Sequence, residues 1–412
     1  MKKALSLIIL SAIVALTVSA QVRPGIEVLE AGGFEQLKGK RVGLITNPTG
    51  VDSRLNATVD ILANAPEVEL TALFAPEHGI RGDVVAGQRV SQTTDPATGL
   101  PVYSIYGRVK SPTAEMLRNV DALVYDIQDN GCRSFTFIST MGLSMEAAAK
   151  AGKEFIVLDR PNPLGGNRVE GPLTEHDCIS FVSRYAIPYI YGLTPGELAL
   201  FLKGEKLIEG ADSLQLTVVP MEGWTRDMTY RLTGLPWILP SPHIPSAETC
   251  LYYPASGILG ELDAVSIGVG YTLPFQTFAA PEIDAPELSR RLNALSLDGI
   301  RFRPIYYTPF YGKFKGRNIA GVQADIDPDT TTPLTLVQFY FMQEMHAIDP
   351  SFKPFAATEG KAANLSMFDK VTGSKSVRRE FSKAYKVNDI IEFWNKDSEP
   401  FTTIKQIYHL YR

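Results

Sequence analysis

The sequence predicts an α/β protein, in which a Rossmann-like parallel-sheet domain is followed by a second, α+β domain. Three observations predict it. Apolar strand-like segments alternate with helical patterns through the first half of the chain. These segments are apolar almost without interruption, as in strands that helices cover on both faces. The chain has 412 residues, of which 45% are hydrophobic, and this is enough for two domains with separate cores.

The first domain is expected to span residues 21–180 and to contain five strands. Each predicted strand is a short apolar run that proline, glycine or polar residues bring to an end. The runs lie at residues 41–46, 68–75, 101–107, 121–129 and 154–159. Helical patterns separate them at residues 53–64, 113–119 and 141–152. Ser53 is the expected N-cap of the first helix, and Gly152 is expected to end the third.

The second domain is expected to span residues 181–412 and to mix helices with strands. Thr194, Pro195 and Glu197 have the spacing of a capping box with proline at the first helical position. Further strands are expected at residues 214–221, 301–310 and 318–326, and further helices at 288–295 and 333–348. The proline-rich segment 234–248, which includes His243, is long for a connection, and loops of this length are often functional.

The first twenty residues are predicted to be a secretory signal peptide. Lys2 and Lys3 precede an apolar stretch, which ends in the small-residue sequence VSA at 18–20. Cleavage there would send the remaining chain to the periplasm or the exterior, without stable membrane insertion. The alternative is an uncleaved membrane anchor, for which the apolar stretch is short.

Polar residues follow the predicted strands of the first domain at the point where each strand ends. In an open parallel sheet, the carboxyl ends of the strands share one edge, and ligands bind at that edge. We therefore expect the functional side chains among the residues of these loops: Asn47, Glu77, His78, Arg81, Gln128, Arg133, Arg160 and Asn162. The topology should place the loops at Asn47, Glu77, Gln128 and Asn162 around one cleft that faces the second domain.

Several classes of function have no support in the sequence. The first strand leads into TNPTGVD rather than a glycine-rich phosphate loop, so no nucleotide cofactor is expected. The five histidines are scattered without metal-binding spacing, and no metal is expected. The three cysteines, Cys132, Cys178 and Cys250, form no CxxC motif or disulfide framework. The formal net charge is −5 with no long basic run, which argues against nucleic acid as a partner.

Several longer motifs of the chain, taken together, resemble those of a known protein family. They are NPTGVD, FAPEHGIRG, GLPVYSIYG, VYDIQDNGCRSFTFISTM, DRPNPLGG, VEGP, GLTPGELA and SPHIPS. In this order they resemble the NamZ-type exo-β-N-acetylmuramidases, a glycoside hydrolase family. The resemblance implies a Rossmann-like domain, a C-terminal domain and a site in the cleft between them. It also implies release of terminal N-acetylmuramic acid from peptidoglycan fragments without a cofactor, with Glu77 as the favoured catalytic candidate.

Glycoside hydrolysis typically uses a proton donor and a second carboxylate. Glu77 is the expected donor, and His78 is expected to orient it or to contact the sugar. Asp126, at the end of the fourth strand, fits the second carboxylate and a structural cap of the next turn equally well. Glu170, in the VEGP motif, is a further acid and an expected substrate ligand.

Muramic acid carries a lactyl carboxylate, which predicts a bidentate cation in the site. Arg81, Arg133 and Arg160 lie in motif loops, and Arg133 is favoured because Gly131 lets the backbone turn sharply before it. A structural ion pair is the alternative for each arginine. Three strand-end amides are also expected to bind substrate: Asn47, Gln128 and Asn162.

One segment departs from the family pattern. Ile267 and Val269, in VSIGVGYTLPF, stand where charged residues are common in the family, a departure compatible with a different aglycone preference. Two other functions stay open from the sequence. One is a two-lobed protein that binds cell-wall sugars without turnover, and the other is a metal-assisted esterase or amidase.

Overall fold

A computed structural model describes residues 21–82, 93–356 and 362–412. The predicted signal peptide lies outside these residues. Seven strands form one sheet in the order β3-β4-β2-β1-β5-β6-β7. They are β1 (Arg41–Thr46), β2 (Glu69–Ala75), β3 (Thr93–Thr94), β4 (Pro101–Ser104), β5 (Ala122–Asp126), β6 (Glu154–Leu158) and β7 (Gln215–Val219). All neighbours pair in parallel except β3, which runs antiparallel to β4.

Helices cover both faces of this sheet, because its strands are apolar on both sides. The central strand β5 is buried at all five positions. Helices α1 (Gly25–Ala31) and α2 (Thr58–Asn64) pack with one set of core residues, and α3 (Phe137–Ala151) and α4 (Pro195–Gly204) pack with the other. The predicted α/β class with a mostly parallel sheet is confirmed.

The C-terminal region is built around a small antiparallel sheet and a group of helices. The strands, in the order β8-β10-β9, are β8 (Thr277–Ala280), β9 (Ile300–Tyr307) and β10 (Ile319–Ile326). The helices are α5 (Thr249–Gly260), α6 (Ala285–Ala294), α7 (Val337–Ile348), α8 (Ala362–Thr372), α9 (Lys375–Ala384), α10 (Ile391–Asn395) and α11 (Ser398–Lys405). The β9–β10 pair and the helix α7 agree with the sequence expectation.

Three local expectations differ from the structure. Helix α2 begins at Thr58 rather than near Ser53, because the Asp52 carboxylate accepts the backbone N–H groups of Arg54 and Asn56 and holds a turn. Residues 113–119 form turns rather than a helix, consistent with the marginal stability of such a short segment. Strand β7, expected in the second domain, pairs with β6 and forms the edge of the first sheet.

The predicted capping box is confirmed. The Thr194 hydroxyl accepts the Glu197 N–H, and the Glu197 side chain accepts the Thr194 N–H. Gly152 ends α3 in the left-handed conformation, as expected. All three cysteines are buried and free. In the described parts of the chain, no helix is long and apolar enough to cross a membrane.

Candidate active site

A cavity of about 440 Å³ lies where the carboxyl edge of the large sheet meets the C-terminal region. This volume is within the usual range for small-molecule sites. The large sheet contributes Glu77 and His78, which follow β2, and residues 134–137, which follow β5. The C-terminal region contributes the opposite wall, from the segment 234–248, helix α5, the residues that follow α5 and the β9–β10 loop.

Glu77 lies in the turn that follows β2 and is half-buried in this cavity. The Tyr106 hydroxyl donates a hydrogen bond of 2.7 Å to Glu77 Oε1. Burial and this bond raise the pKa of Tyr106 above its usual value, which keeps the phenol protonated and able to donate. Tyr106 therefore fixes one carboxylate oxygen, and Oε2 is left to face a ligand.

His78 is buried in the same turn, and its Nδ1 has no hydrogen-bond partner among the described residues. Its φ angle is +73°, in the left-handed region that non-glycine residues rarely adopt. The cavity-lining residues Asp263 and Phe275 also have positive φ angles. Strained backbone of this kind concentrates at functional sites, where the surrounding structure holds it in place.

His243 reaches the cavity from the segment 234–248, as expected for a functional loop. Its Nε2 lies 2.9 Å from the Tyr311 hydroxyl, and the two rings stack. Burial, and secondarily the neighbouring His78, lower the pKa of His243 below its usual value. His243 is therefore neutral at neutral pH and can accept or donate one hydrogen bond at the mouth of the cavity.

Glu261 is a carboxylate in this cavity that the sequence analysis did not single out. It follows α5 directly, and burial raises its pKa above the usual value for glutamate. Among the described residues, its carboxylate has no ion-pair partner. A half-buried carboxylate without a counter-ion in a cavity is a functional candidate on physical grounds. No spacing or motif around Glu261 separates it from other glutamates, so only the fold could reveal it.

The segment VSIGVG, which departs from the family pattern, forms part of the cavity wall. Ile267 and Val269 both line the cavity, next to Phe275. Gly270 lets the β9–β10 loop approach this wall, since a Cβ atom on Gly270 would lie 2.2 Å from the Tyr311 carbonyl oxygen. The chain therefore has an aliphatic surface at the position where the resemblance to the family would predict charged residues.

Asp126 and Arg160 form a buried ion pair and do not line this cavity. Arg160 Nη2 donates to Asp126 Oδ2 at 2.9 Å, and Thr58 also donates to that carboxylate. Arg160 Nη2 further donates to the Val51 carbonyl at 2.8 Å. Of the two functions expected for Asp126, the structural one fits this placement. Arg160 and Gln128 line a separate cavity of about 10 Å³, which has room for about one water molecule.

Arg133, the favoured partner of a substrate carboxylate, is fully buried. All five of its N–H groups face protein oxygens, namely those of Pro172, Ser183, Ile187, Val371 and Thr372. Burial lowers the pKa of Arg133 to about 10. The expected lactyl contact does not fit this placement, because no donor is left for a ligand; the guanidinium joins backbone segments instead.

Arg81 is also engaged within the protein. Its guanidinium makes two hydrogen bonds to Asp60 and two to Asp95, all between 2.7 and 3.0 Å. These bonds raise the pKa of Arg81 above its usual value. None of the three arginines expected to bind the lactyl group therefore lines the cavity with a free guanidinium.

The remaining expected ligands shape the loops at the sheet edge. Asn47 Oδ1 accepts the Thr49 N–H, Gln128 Nε2 donates to two carbonyls, and Asn162 Nδ2 donates to the Leu193 carbonyl. Glu170 accepts the N–H groups of Leu334 and Thr335, just before α7. Of the four loops expected around one cleft, two line the cavity: the loop with Glu77 and His78, and the loop after β5, which contributes residues 134–136 rather than Gln128 itself.

In the three described stretches of the chain, no group of three or more histidine, cysteine or acidic side chains could hold a metal ion. The geometry instead offers three carboxylates, Glu77, Glu261 and the exposed Asp263, in one cavity with two histidines. This is the set of groups that acid–base cleavage of a glycoside uses.

Two family models match the chain. The N-terminal model of the exo-β-N-acetylmuramidase NamZ matches residues 42–248, and the C-terminal model matches residues 251–411. A curated relative from Bacillus subtilis (strain 168), "Peptidoglycan beta-N-acetylmuramidase NamZ", is 42% identical over 391 residues, which cover 95% of this chain and 92% of the relative. The expected division of the chain at residue 180 stays a prediction.

Two solved structures of DUF1343 family proteins from Bacteroides fragilis NCTC 9343 share the fold. One is 52% identical with a TM-score of 0.91, and the other is 27% identical with a TM-score of 0.74. Each match covers 95% of this chain and 99% of the solved chain. Because the matches extend over both domains and agree with the motifs, this chain belongs to the NamZ exo-β-N-acetylmuramidase family.

Proposed function

We propose that this chain is an exported glycosidase that removes terminal N-acetylmuramic acid from peptidoglycan fragments. The observation that carries the proposal is the cavity of about 440 Å³ in which Glu77 of the P-E-H-G motif faces the C-terminal region. The name of the Bacillus subtilis relative supports the substrate class. The signal-like sequence at residues 1–20 supports export to the periplasm or the exterior.

In this proposal Glu77 donates a proton to the glycosidic oxygen as the bond to the anomeric carbon breaks. Tyr106 holds Oε1, so that Oε2 carries the proton toward the leaving group. Glu261 is the second carboxylate, and it stabilises the positive charge that develops at the sugar ring. A water molecule forms the new bond to the anomeric carbon and gives its proton to the carboxylate pair, which restores the proton that Glu77 donated. His78 and His243 are close enough to contact the sugar substituents from the two walls of the cavity.

The substitution Glu77→Gln tests the role of the proton donor. With a disaccharide whose leaving group is a sugar, turnover should fall by two or more orders of magnitude, because the leaving oxygen then needs protonation. With a dinitrophenyl glycoside, whose leaving group is stable as an anion, the same variant should lose much less. The measurement is kcat on both substrates with wild type and variant.

Two other outcomes would contradict the assignment. Equal losses on both substrates would make Glu77 the nucleophile or base and Glu261 the donor. A variant that retains more than about a third of wild-type turnover on the disaccharide would show that Glu77 is not required. Addition of EDTA to the wild-type assay separates a metal-assisted hydrolase from a glycosidase, since only the former should lose activity.

A further inference from the structure

We propose that Lys313 binds the lactyl carboxylate of the terminal muramic acid, with Asp263 as the group that holds the ammonium in place until substrate arrives. The inference rests on the proposed function and deepens it. It assigns the specificity for a carboxylate-bearing sugar to a lysine of the C-terminal region rather than to the arginines of the sheet loops.

The positions of the lysine and arginine side chains favour Lys313 as the ligand of the substrate carboxylate. Among the cavity-lining residues in the described part of the chain, it is the only lysine or arginine. Arg81, Arg133 and Arg160 donate their hydrogen bonds to protein oxygens, and none of the three lines the cavity. A bound carboxylate in this cavity therefore has one fixed positive charge within reach.

Lys313 also has donors available. Its Nζ lies 3.0 Å from Asp263 Oδ2, and an ammonium has three N–H groups, so one bond to Asp263 leaves two for a ligand. The Lys313 side chain is 33% exposed and that of Asp263 is 58% exposed, which places the pair at the wall rather than in the core. A substrate carboxylate can join or replace Asp263 without burying an unpaired charge.

The loop that carries Lys313 is held firmly. The Phe310 N–H donates to the Gly270 carbonyl at 2.7 Å, and the Tyr311 hydroxyl lies 2.9 Å from His243. These contacts tie the β9 side of the β9–β10 loop, two residues before Lys313, to the cavity wall. The ammonium also lies 5.1 Å from the centre of the Phe314 ring, which favours a cation there. Lys313 is thus positioned before a ligand binds.

The other charges of the cavity make this cation necessary. Glu77, Glu261 and Asp263 are acids, and the whole chain has a formal net charge of −5. A carboxylate ligand is therefore repelled at long range and by most of its surroundings, so that its binding depends on one local contact. The aliphatic wall of Ile267 and Val269 lies beside this contact and matches the methyl groups of the lactyl and N-acetyl substituents.

The test compares two substrates that differ only in charge. One is 4-nitrophenyl β-N-acetylmuramide, and the other is its amide, in which the lactyl carboxylate is a carboxamide. Wild type should prefer the acid by about tenfold in kcat/KM, through KM, as expected for a charge-assisted hydrogen bond. Lys313→Met should abolish this preference, and Lys313→Arg should restore part of it. Lys315→Met is the matched control, because Lys315 is exposed in the same loop and does not line the cavity.

Substitution of Asp263, the ion-pair partner of Lys313, gives a second test, in which the expected change in binding affinity has the opposite sign. Asp263→Asn removes the anion that competes for the ammonium, so it should tighten binding of free N-acetylmuramic acid while Lys313→Met weakens it. Both affinities can be measured by calorimetry without turnover. If the pair were only structural, the two variants would change binding in the same direction, and the proposal would be overturned.

Failure of the inference and failure of the proposed function are distinguishable. A wild-type enzyme that binds the free acid and its amide equally would overturn the role of Lys313, whether or not it hydrolyses the glycoside. A wild-type enzyme that binds the acid selectively through Lys313 but never cleaves the glycoside would overturn the glycosidase and leave the carboxylate site in place.

Discussion

At the scale of single residues, the cavity brings together carboxylates in different environments. One oxygen of Glu77 accepts a hydrogen bond from Tyr106, whereas Glu261 is half-buried with no ion-pair partner among the described residues. Different environments are how enzymes give two acids different protonation states at one pH. The two carboxylates thus lie in different environments of one cavity, although the residues lie 184 positions apart (261 − 77) in the sequence.

The substitution Glu261→Gln should separate function from stability. Because burial raises the pKa of Glu261, its contribution to stability is present at low pH and is lost as the pH rises through that raised value. Glutamine resembles the protonated form, so the variant should match wild type near pH 4 and exceed it at pH 8 by about 0.5–2 kcal/mol in the free energy of unfolding. Its kcat/KM should nevertheless fall tenfold or more, within the range for loss of an acid–base group.

Thermal unfolding across pH, together with kcat/KM, measures both effects of this substitution. Glu392→Gln is the control, because Glu392 is exposed on α10 and far in sequence from the cavity residues. If Glu261→Gln lost stability at pH 8 and kept its activity, Glu261 would be a structural residue with no part in catalysis.

At the scale of secondary structure, the β9–β10 loop places Gly312 and Lys313 in the cavity wall. Gly270 has a φ angle of +93°, and a Cβ atom there would lie 2.2 Å from the Tyr311 carbonyl oxygen. Gly270→Ala must therefore shift the loop that carries Tyr311 and Lys313. A displacement of about 1 Å in a substrate-positioning element costs roughly 100-fold in rate, and we expect kcat/KM to fall by about 10- to 100-fold.

Gly316→Ala is the matched control for this prediction. Gly316 lies in the same loop with a similar positive φ angle of +73°, but a Cβ atom there would meet nothing within 4 Å. Both variants should lose about 1–2 kcal/mol of stability through backbone strain, measured by chemical denaturation. Only Gly270→Ala should lose the preference for the charged substrate; equal kinetic losses in the two variants would show that the contact with Tyr311 does not matter.

The elements that local sequence determines were predictable. The five strands of the first domain were located because each is an apolar run with a clear end, and the capping box at Thr194 was read from four residues. Strand β7 was recognised as a strand but was expected in the second domain, whereas it pairs with β6 in the first sheet. The loop between β6 and α4 is more than 30 residues long, which obscured the parallel connection between β6 and β7.

The site was predictable where it follows a strand of the first sheet and where the long proline-rich segment 234–248 contributes His243. Glu77 and His78 were identified from the P-E-H-G turn after β2, whereas Glu261 and Lys313 reach the cavity through tertiary packing that no local pattern encodes. Arg133 is the opposite case, because the sequence favoured it for the site whereas tertiary packing buries it away from the cavity. Charged residues are usually exposed, and the carbonyls of Val371 and Thr372 that bury it lie 238 and 239 positions away.

At the scale of the whole molecule, the C-terminus returns to the first sheet. Lys405 Nζ donates to the carbonyls of Gly166 and Gly192, and the Tyr411 hydroxyl donates to the Asp159 carboxylate beyond the end of β6. The Arg226 N–H also donates to the carbonyl of the last residue, Arg412. These contacts fasten residues 405–412 to the loops that follow β6 and β7 of the first sheet.

This junction should make stability depend on pH in alkaline solution. Lys405 is 1% exposed, and burial, followed by the nearby Arg226, lowers its pKa to about 7. Between about pH 7 and the ordinary lysine value near 10.5, the unfolded chain binds a proton that the folded chain does not. Stability contributed by this group is therefore lost as the pH falls through that window, with a slope of at most about 1.4 kcal/mol per pH unit.

Lys405→Met should flatten this slope, because methionine keeps most of the buried volume and carries no proton. The free energy of unfolding from pH 7 to 10 measures it, with the exposed Lys386→Met as control. Asp159 does not obscure the result. Burial raises the pKa of Asp159 to about 7, so its contribution to stability is lost as the pH rises from about 4 to 7. This range lies below the pH range in which Lys405 acts. If the curves of Lys405→Met and wild type ran parallel above pH 7, Lys405 would be charged in the folded protein, and its two carbonyl contacts would stabilise the ammonium rather than the neutral amine.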